Sequence, residues 1–296
     1  MLKPKNIEYI EAIFAVTVWG ASFIATKIAL REISPLTIVW MRFTIGVVIL
    51  GVAVFARRQF MRPTLVELAY FGLLGFLGIT FHQWLQSTGL VTAQASTTAW
   101  IVASTPIFMA GLGWLLLREK LDSWQIAGIA VATLGVLFVA TDGNLRLLAA
   151  GRLSTPGDFL ILVSAVNWAV FSTLSRRALL RHPATRVMFY VMTAGWFFTS
   201  LLFFTAGRSA EVTNLGRQGW SAILFLGIFC TGLAYIAWYD ALQALSTSQA
   251  GVFLYLEPLV AMLVAGFLLG ERVTAAGLIG GTMILGGVWL VQNRRG

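Results

Sequence analysis

The sequence predicts an all-α integral membrane protein with ten transmembrane helices, arranged as two five-helix inverted repeats. Three observations predict this fold: the composition, the number of long apolar runs, and a set of residues that recurs in the second half of the chain. Of the 296 residues, 58% are hydrophobic and 11% are charged, and the mean hydropathy is +0.83. A water-soluble core cannot bury so many apolar side chains, so a bilayer must cover them.

Ten apolar runs are each long enough to cross a bilayer, because a hydrocarbon core of about 30 Å requires roughly 20 helical residues. The predicted helices 1 to 10 cover residues 7–30, 35–56, 66–89, 93–117, 122–140, 157–179, 185–206, 218–242, 247–269 and 273–292. The first run is longer than the core of a signal peptide, so we interpret it as a transmembrane helix. The connection 141–156 predicts a linker between a first half, residues 1–140, and a second half, residues 157–296.

Several residues recur at a constant spacing of 152 positions. The first set comprises Ser96, Pro106, Glu119, Gly128 and Gly135, and the second comprises Ser248, Pro258, Glu271, Gly280 and Gly287. Because each half has an odd number of predicted helices, the second copy must enter the membrane upside down relative to the first. Such inverted repeats provide the symmetry for alternating access, with the substrate site between the two halves.

The basic residues predict the orientation of the chain. Lys and Arg number 21 against 12 Asp and Glu, and they gather at the ends of apolar runs. Thirteen lie on the side of the N-terminus and seven on the other, while Arg42 falls inside the second predicted helix. Both termini are therefore predicted to be cytoplasmic, in a bacterial inner (plasma) membrane. The excess of positive charge indicates topology and gives no reason to expect nucleic acid as a partner.

Three segments together resemble one transporter superfamily. They are Trp19-Gly20-Ala21-Ser22-Phe23, Tyr255-Leu256-Glu257-Pro258-Leu259 and Leu268-Leu269-Gly270-Glu271-Arg272. The chain is similar to the drug/metabolite transporter superfamily, and more narrowly to the ten-helix EamA-like metabolite exporters. The resemblance implies export of amino acids or related metabolites. It also implies a central cavity lined mainly by helices 1, 3, 4, 6, 8 and 9, with helices 5 and 10 at the periphery.

Two prolines predict kinks that could take part in gating. Pro106 and Pro258 lack an N–H, so within a helix they would free the carbonyls of Val102 and Leu254. A freed carbonyl in a membrane must face protein or a wet cavity, where it could accept a hydrogen bond from a substrate ammonium. The alternative is a packing kink whose carbonyl is satisfied by a neighbouring Ser or Thr.

Glu257 is the one acidic residue near the middle of a predicted span. A carboxylate at that depth suggests a functional role. It could form a structural or gating ion pair with Arg42, bind a substrate amine, or carry a coupling proton.

Two helix faces combine aromatic and polar side chains. In helix 1, Trp19, Ser22 and Thr26 share a face, and in helix 6 the corresponding group is Asn167, Trp168 and Ser172. We interpret the two faces as walls of one cavity, although aromatic stripes in membrane helices also serve ordinary packing.

Further candidate substrate-binding residues lie on the other helices named above. They are His82, Gln83 and Gln86 in helix 3, Trp100 in helix 4, Tyr235, Trp238 and Tyr239 in helix 8, and Ser248 and Tyr255 in helix 9. Amides and phenols can bind a zwitterion, and aromatic faces attract an ammonium group. The alternatives are hydrogen bonds between helices and, for Trp100, packing within the bundle.

The sequence favours a secondary transporter that exports small metabolites, most simply amino acids or close analogues. Proton-coupled efflux of lipophilic cations and a lipid-linked carrier or flippase remain alternatives. We expect no cofactor and no metal, because the two histidines and the single Cys230 form no metal motif, and no energisation by ATP, because there is no P-loop. We expect no enzymatic activity, because the sequence lacks a His-rich motif, a Ser/His pair and paired aspartates in the middle of a span. The expected partners are a small-molecule substrate and the lipid bilayer. The spacing Gly277-x-x-x-Gly281 could form a dimer face, but we expect a monomer.

Overall fold

The computed structural model describes residues 6–117, 122–144, 146–147, 150, 153–244 and 253–292. These residues form helices and connections, without a β-strand among them. We label ten helical segments α1 (Asn6–Ala29), α2 (Pro35–Ala56), α3 (Leu65–Gly89), α4 (Ala95–Ala103 and Thr105–Leu117), α5 (Ser123–Ala140), α6 (Pro156–Leu179), α7 (Ala184–Thr205), α8 (Arg217–Leu224, Phe225–Leu233 and Ala234–Ala244), α9 (Leu256–Leu269) and α10 (Ala275–Gln292).

Eight of the described helices, α1 to α8, are long and apolar enough to cross a membrane. The described parts of α9 and α10 are apolar but shorter. The protein is therefore an all-helical, multi-pass membrane protein, as its composition predicts. The predicted bounds of most helices agree with the structure within one or two residues, whereas part of predicted helix 9 falls outside the described residues.

Both prolines of the repeated motif lie next to a break in the helix. α4 is interrupted at Ser104, so Pro106 falls in the first turn of the segment Thr105–Leu117. The described part of α9 begins at Leu256, which places Pro258 in its first turn. A first-turn residue needs no partner for its N–H, so proline is tolerated there.

At both prolines the carbonyl four residues earlier accepts a hydrogen bond from a neighbouring residue, which agrees with the alternative of a packing kink. The hydroxyl of Thr105 donates to the carbonyl of Val102 at 2.7 Å. The backbone N–H of Glu257 donates to the carbonyl of Leu254 at 3.2 Å. The carbonyl of Val102 is thus bonded by the side chain of a neighbouring Thr, and the carbonyl of Leu254 is bonded by a backbone N–H within a tight turn. Each of these carbonyls therefore already accepts one hydrogen bond.

α3 and α8 each contain a π-helical segment, Phe76–Phe81 and Phe225–Leu233. The wider π turn leaves backbone carbonyls for other donors. The side chain of Asn167 in α6 donates to the carbonyl of Leu77 at 2.8 Å, and the indole N–H of Trp19 in α1 donates to that of Cys230 at 3.0 Å. These two bonds fix α6 against α3 and α1 against α8, which positions the walls of the cavity described below.

α5 and α10 are in close backbone contact through four glycines, Gly128, Gly135, Gly280 and Gly287. A Cβ atom at any of the four would lie within 2.8 Å of a carbonyl oxygen on the facing helix. Small residues permit such close approach between membrane helices. The repeated glycines thus serve packing between these two helices, away from the cavity.

Three carboxylates cap helix N-termini at the end of the bundle where α1 terminates. Glu271 accepts hydrogen bonds from the backbone of Ala95 and Ser96 at 2.8 and 3.1 Å, and Glu211 accepts one from Ser34 N–H at 2.9 Å. Glu32 accepts from the N–H groups of residues 216 and 219. Negative charge at a helix N-terminus is favourable because it interacts with unpaired N–H groups and the helix dipole.

Glu211 lies in the connection before α8, outside the spanning helices. Partial burial opposes its ionisation, yet hydrogen bonds from Thr37 and Ser34, together with Arg208, lower its pKa to about 2. The cap on α2 is therefore charged throughout the physiological pH range.

Candidate functional site

A cavity of about 110 Å³ lies inside the bundle, between helices from both halves of the chain. Side chains of α1, α2, α3, α4, α6, α8 and α9 line it, together with the turn before α9. The lining residues are Trp19, Ser22, Phe23, Arg42, His82, Gln83, Gln86, Val102, Trp168, Tyr235, Leu254 and Glu257.

Two aromatic groups form part of the cavity wall. The ring of Trp19 packs edge-on against Tyr235 at 5.4 Å between centroids, and it also contacts Trp238 at 5.5 Å. The ring of Trp168 lies 4.7 Å from that of His82. Aromatic faces of this kind attract cationic groups and cover apolar ones.

Arg42 of α2 lines the cavity with a positively charged side chain and is only 4% exposed. Its Nε donates to the hydroxyl of Thr231 at 3.0 Å, and one terminal nitrogen donates to Oε1 of Gln83 at 3.1 Å. Among the described residues no carboxylate lies within ion-pair distance of this guanidinium. The two neutral acceptors orient the group, and its charge stays available to an anionic ligand.

The expected ion pair between Glu257 and Arg42 is not formed. Glu257 lies in the first turn of α9, which packs against Gly20 of α1. Arg42 is instead directed towards α3 and α8 by Gln83 and Thr231. Glu257 is half-buried and faces the cavity. The cavity therefore presents a guanidinium and a carboxylate that do not neutralise each other.

The sequence model of the EamA-like transporter family matches residues 6–141 and 155–292. The chain belongs to this family. It is a membrane transporter, and the resemblance predicted from its motifs is confirmed.

Three similar relatives match most of this EamA-like chain. An uncharacterized transporter of Archaeoglobus fulgidus is 27% identical over 94% of both chains. A probable terminal-alkyne amino-acid exporter of Streptantibioticus cattleyicolor is 28% identical, over 95% of this chain and 92% of its own. A probable amino-acid metabolite efflux pump of Salmonella typhimurium is 26% identical, over 94% and 92%. A crystal structure with 22% identity and a TM-score of 0.68 covers 96% of this chain and 97% of its own, which shows the fold alone.

Polar residues of α3 connect the transporter's cavity to neighbouring helices. His82 is buried, and its Nδ1 lies 3.1 Å from the carbonyl of Ser164 in α6. Gln83 bridges to Arg42, so it both lines the cavity and joins two helices. Gln86, one turn further along the same face, also lines the cavity.

Other predicted site residues support the cavity without lining it. Thr26 donates to the carbonyl of Ser22 within α1, and Asn167 bonds to α3. Tyr239 is buried beside Tyr235. The remaining ones are Trp238, packed on Trp19, and Ser172, Tyr255, Pro106 and Pro258, which are buried or half-buried. Ser248 lies outside the described residues.

Trp100, which the sequence places in the pocket, lies elsewhere. It is 3% exposed and packs with α5 and α10, and its ring covers Gly281 so closely that a Cβ there would approach it to 2.6 Å. The side chain of Trp100 lies on the face of α4 that packs against α10, away from the cavity. The stripe Gly277-x-x-x-Gly281 therefore faces Trp100 within the protomer.

Two apolar lining residues, Val102 and Leu254, were considered from sequence only for their carbonyls. Both precede a motif proline by four positions, so the repeat spacing alone could have indicated their equivalent places in the wall. Thr231, the partner of Arg42, was missed because nothing in the sequence relates it to α2. Among the described residues no cluster of His, Cys, Asp or Glu could hold a metal ion.

Proposed function

We propose that this EamA-like transporter exports amino acids or close analogues by alternating access. The observation that carries the proposal is the cavity containing both Arg42 and Glu257 without an ion pair between them. An amino acid carries a carboxylate and an ammonium group, so it can satisfy both side chains at once. Arg42 would bind the carboxylate, and Glu257 with the rings of Trp19 and Tyr235 would bind the ammonium.

The size of the cavity supports a small solute. Pockets for drug-sized ligands usually measure about 300–1,000 Å³, whereas this cavity measures about 110 Å³. The names of two relatives, a probable amino-acid exporter and a probable amino-acid metabolite efflux pump, agree with this choice.

For this mechanism we propose ten spans in two inverted halves, with both termini in the cytoplasm of a bacterial cell. The helix breaks beside Pro106 and Pro258 occur at equivalent positions of the repeat, where segments could change angle. Basic residues such as Arg58, Arg62 and Arg176 gather at the end proposed to be cytoplasmic, in accord with the distribution of charge around membrane helices.

The test is counterflow in proteoliposomes that contain the purified protein. We expect a preloaded amino acid to drive uptake of the same radiolabelled amino acid. A decarboxylated amine of the same side chain should compete at least tenfold more weakly, and so should the carboxylic acid that lacks the amino group, since each loses one charged contact.

Two variants connect the result to the site. Arg42→Gln should abolish discrimination against the decarboxylated amine, and Glu257→Gln should abolish discrimination against the acid without the amino group. Arg31→Gln, an exposed arginine at the end of α1, is the control and should retain wild-type selectivity. Absence of counterflow for a broad amino-acid panel, or equal competition by all three compounds, would reject the proposal.

A second candidate is proton-coupled efflux of a lipophilic cation. It is favoured by Glu257, a carboxylate facing an aromatic cavity. In the same vesicles this function would give cation flux that depends on a pH gradient and is lost in Glu257→Gln. Full activity of that variant with an unchanged pH profile would exclude a proton-carrying role for Glu257.

A further inference from the structure

A separate cavity of about 150 Å³ lies between the first turns of α3 and the last turns of α6. We call it the α3–α6 crevice. Phe71 and Ala178 form its buried apolar wall, Arg177 lines it from α6, and Arg181 lines it from the turn after α6. None of its lining residues belongs to the central cavity, and it lies at helix ends, where a membrane protein meets the lipid headgroups.

The acidic residue of the crevice is already occupied. One oxygen of the Glu67 carboxylate accepts hydrogen bonds from the backbone and hydroxyl of Thr64, at 2.8 and 2.9 Å. The other lies 3.0 Å from Nε2 of His182. Glu67 therefore caps α3 and holds the loop after α6, and both of its oxygens are used.

The two arginines, in contrast, have no partner among the described residues. Arg177 lies in the last turn of α6 and Arg181 in the turn that follows it, and both line the same crevice. Both are exposed, and neither makes a hydrogen bond or an ion pair within the described part of the chain. Two adjacent guanidinium groups offer several parallel N–H donors, a geometry that suits a phosphate group.

The crevice has an exposed apolar rim, made of Val66, which lines it, and of Leu65 and Leu180, the chain neighbours of the lining residues Val66 and Arg181. Leu65 is 85% exposed, Val66 80% and Leu180 79%. A phosphate ion in water would gain nothing from such a rim. A phospholipid would gain contact between its acyl chains and these side chains while its headgroup reached the arginines.

We propose that the α3–α6 crevice binds the phosphate headgroup of an anionic phospholipid. The bound lipid would join the start of α3 to the end of α6, two helices from different halves of the chain. Because those halves are the units proposed to move during transport, the lipid would stabilise one of their arrangements. The binding itself does not depend on the identity of the transported solute.

The test measures lipid binding to the full-length protein in detergent by native mass spectrometry. The probes are short-chain phosphatidylglycerol, phosphatidylcholine with the same acyl chains, and inorganic phosphate. We compare the wild type with Arg177→Gln/Arg181→Gln. The control is Arg176→Gln, which removes an exposed arginine from the same turn that does not line the crevice. None of these positions contacts the central cavity.

We expect phosphatidylglycerol to bind more tightly than phosphatidylcholine. The double variant should lose about 30-fold in affinity for phosphatidylglycerol, since each arginine near an anionic lipid contributes about fivefold. The control should bind as the wild type does, and the melting temperatures of all three proteins should agree. Unchanged phosphatidylglycerol binding in the double variant, equal binding of both lipids, or complete displacement by equimolar inorganic phosphate would each overturn the proposal.

Discussion

The ammonium group of Lys27 in α1 lies 3.8 Å from the carboxylate of Glu271 at the end of α9. The same ammonium donates to the carbonyl of Ala93 at 2.6 Å, and Glu271 also accepts a bond from the hydroxyl of Ser96 at 2.8 Å. Three elements that are distant in sequence therefore meet at one point: the end of α1, the start of α4 and the end of α9.

Removal of Glu271 should destabilise this junction more than removal of Lys27. Glu271→Ala loses a cap of α4 with three hydrogen bonds, worth about 2 kcal/mol, which corresponds to roughly 5 °C in melting temperature. Lys27→Met loses a partly exposed ion pair worth at most about 1 kcal/mol. Thermal unfolding in detergent measures both variants, with Arg31→Gln as the control. A larger effect from Lys27→Met would show that the ion pair, rather than the helix cap, holds the junction.

Two adjacent glycines of α10 should respond differently to the same substitution. In Gly287→Ala the new methyl group would meet the carbonyl of Gly128 at 2.5 Å, so we expect a loss of about 1–3 kcal/mol from forced separation of α5 and α10. Gly286 is exposed, with no atom within 4 Å of a built Cβ. Gly286→Ala should therefore leave the melting temperature unchanged or slightly higher. Equal behaviour of the two variants would contradict the close packing of α5 on α10.

Substitution of Trp100 should affect mainly the stability of the fold, whereas substitution of Trp168 should affect mainly solute binding. Trp100→Ala empties a buried site against α10 and should cost about 3–5 kcal/mol, with unchanged solute selectivity in the protein that folds. Trp168→Ala opens the cavity wall and should weaken solute competition in the counterflow assay, while Trp168→Phe should restore part of it. If Trp100→Phe, a milder change, altered selectivity as strongly as Trp168→Ala, the assignment of the two rings would be incorrect.

The Glu211 cap should give a stability contribution that depends on pH. Its pKa is lowered from 4.5 in the unbonded side chain to about 2 in the folded protein. A lowered pKa contributes stability that is complete above pH 4.5 and is lost as the pH falls towards 2. The melting temperature of Glu211→Gln should therefore be lower than that of the wild type at pH 7, and the difference should shrink below pH 4.5. A difference that stays constant down to pH 3 would indicate that the carboxylate charge does not stabilise α2.

Much of the candidate cavity could be predicted from residue type and position. Trp19, Ser22, His82, Gln83 and Trp168 were selected from polar and aromatic faces, and all five line the cavity. Trp100 satisfied the same criteria but packs on α10. Sequence periodicity shows which residues share a face of one helix, yet it does not show which neighbour that face meets.

The sequence by itself determined the class of the protein, the bounds of most helices and the family. Hydropathy and helix length are local properties, and the motif around Glu257 and Pro258 is continuous in sequence. Only the tertiary structure decided that Arg42 bonds to Gln83 and Thr231, which lie 41 and 189 positions away, and not to Glu257. The direction of a buried polar side chain depends on how each helix is rotated against its neighbours. That rotation is set by packing and by bonds across helices, such as those from Trp19 and Asn167 to the π segments.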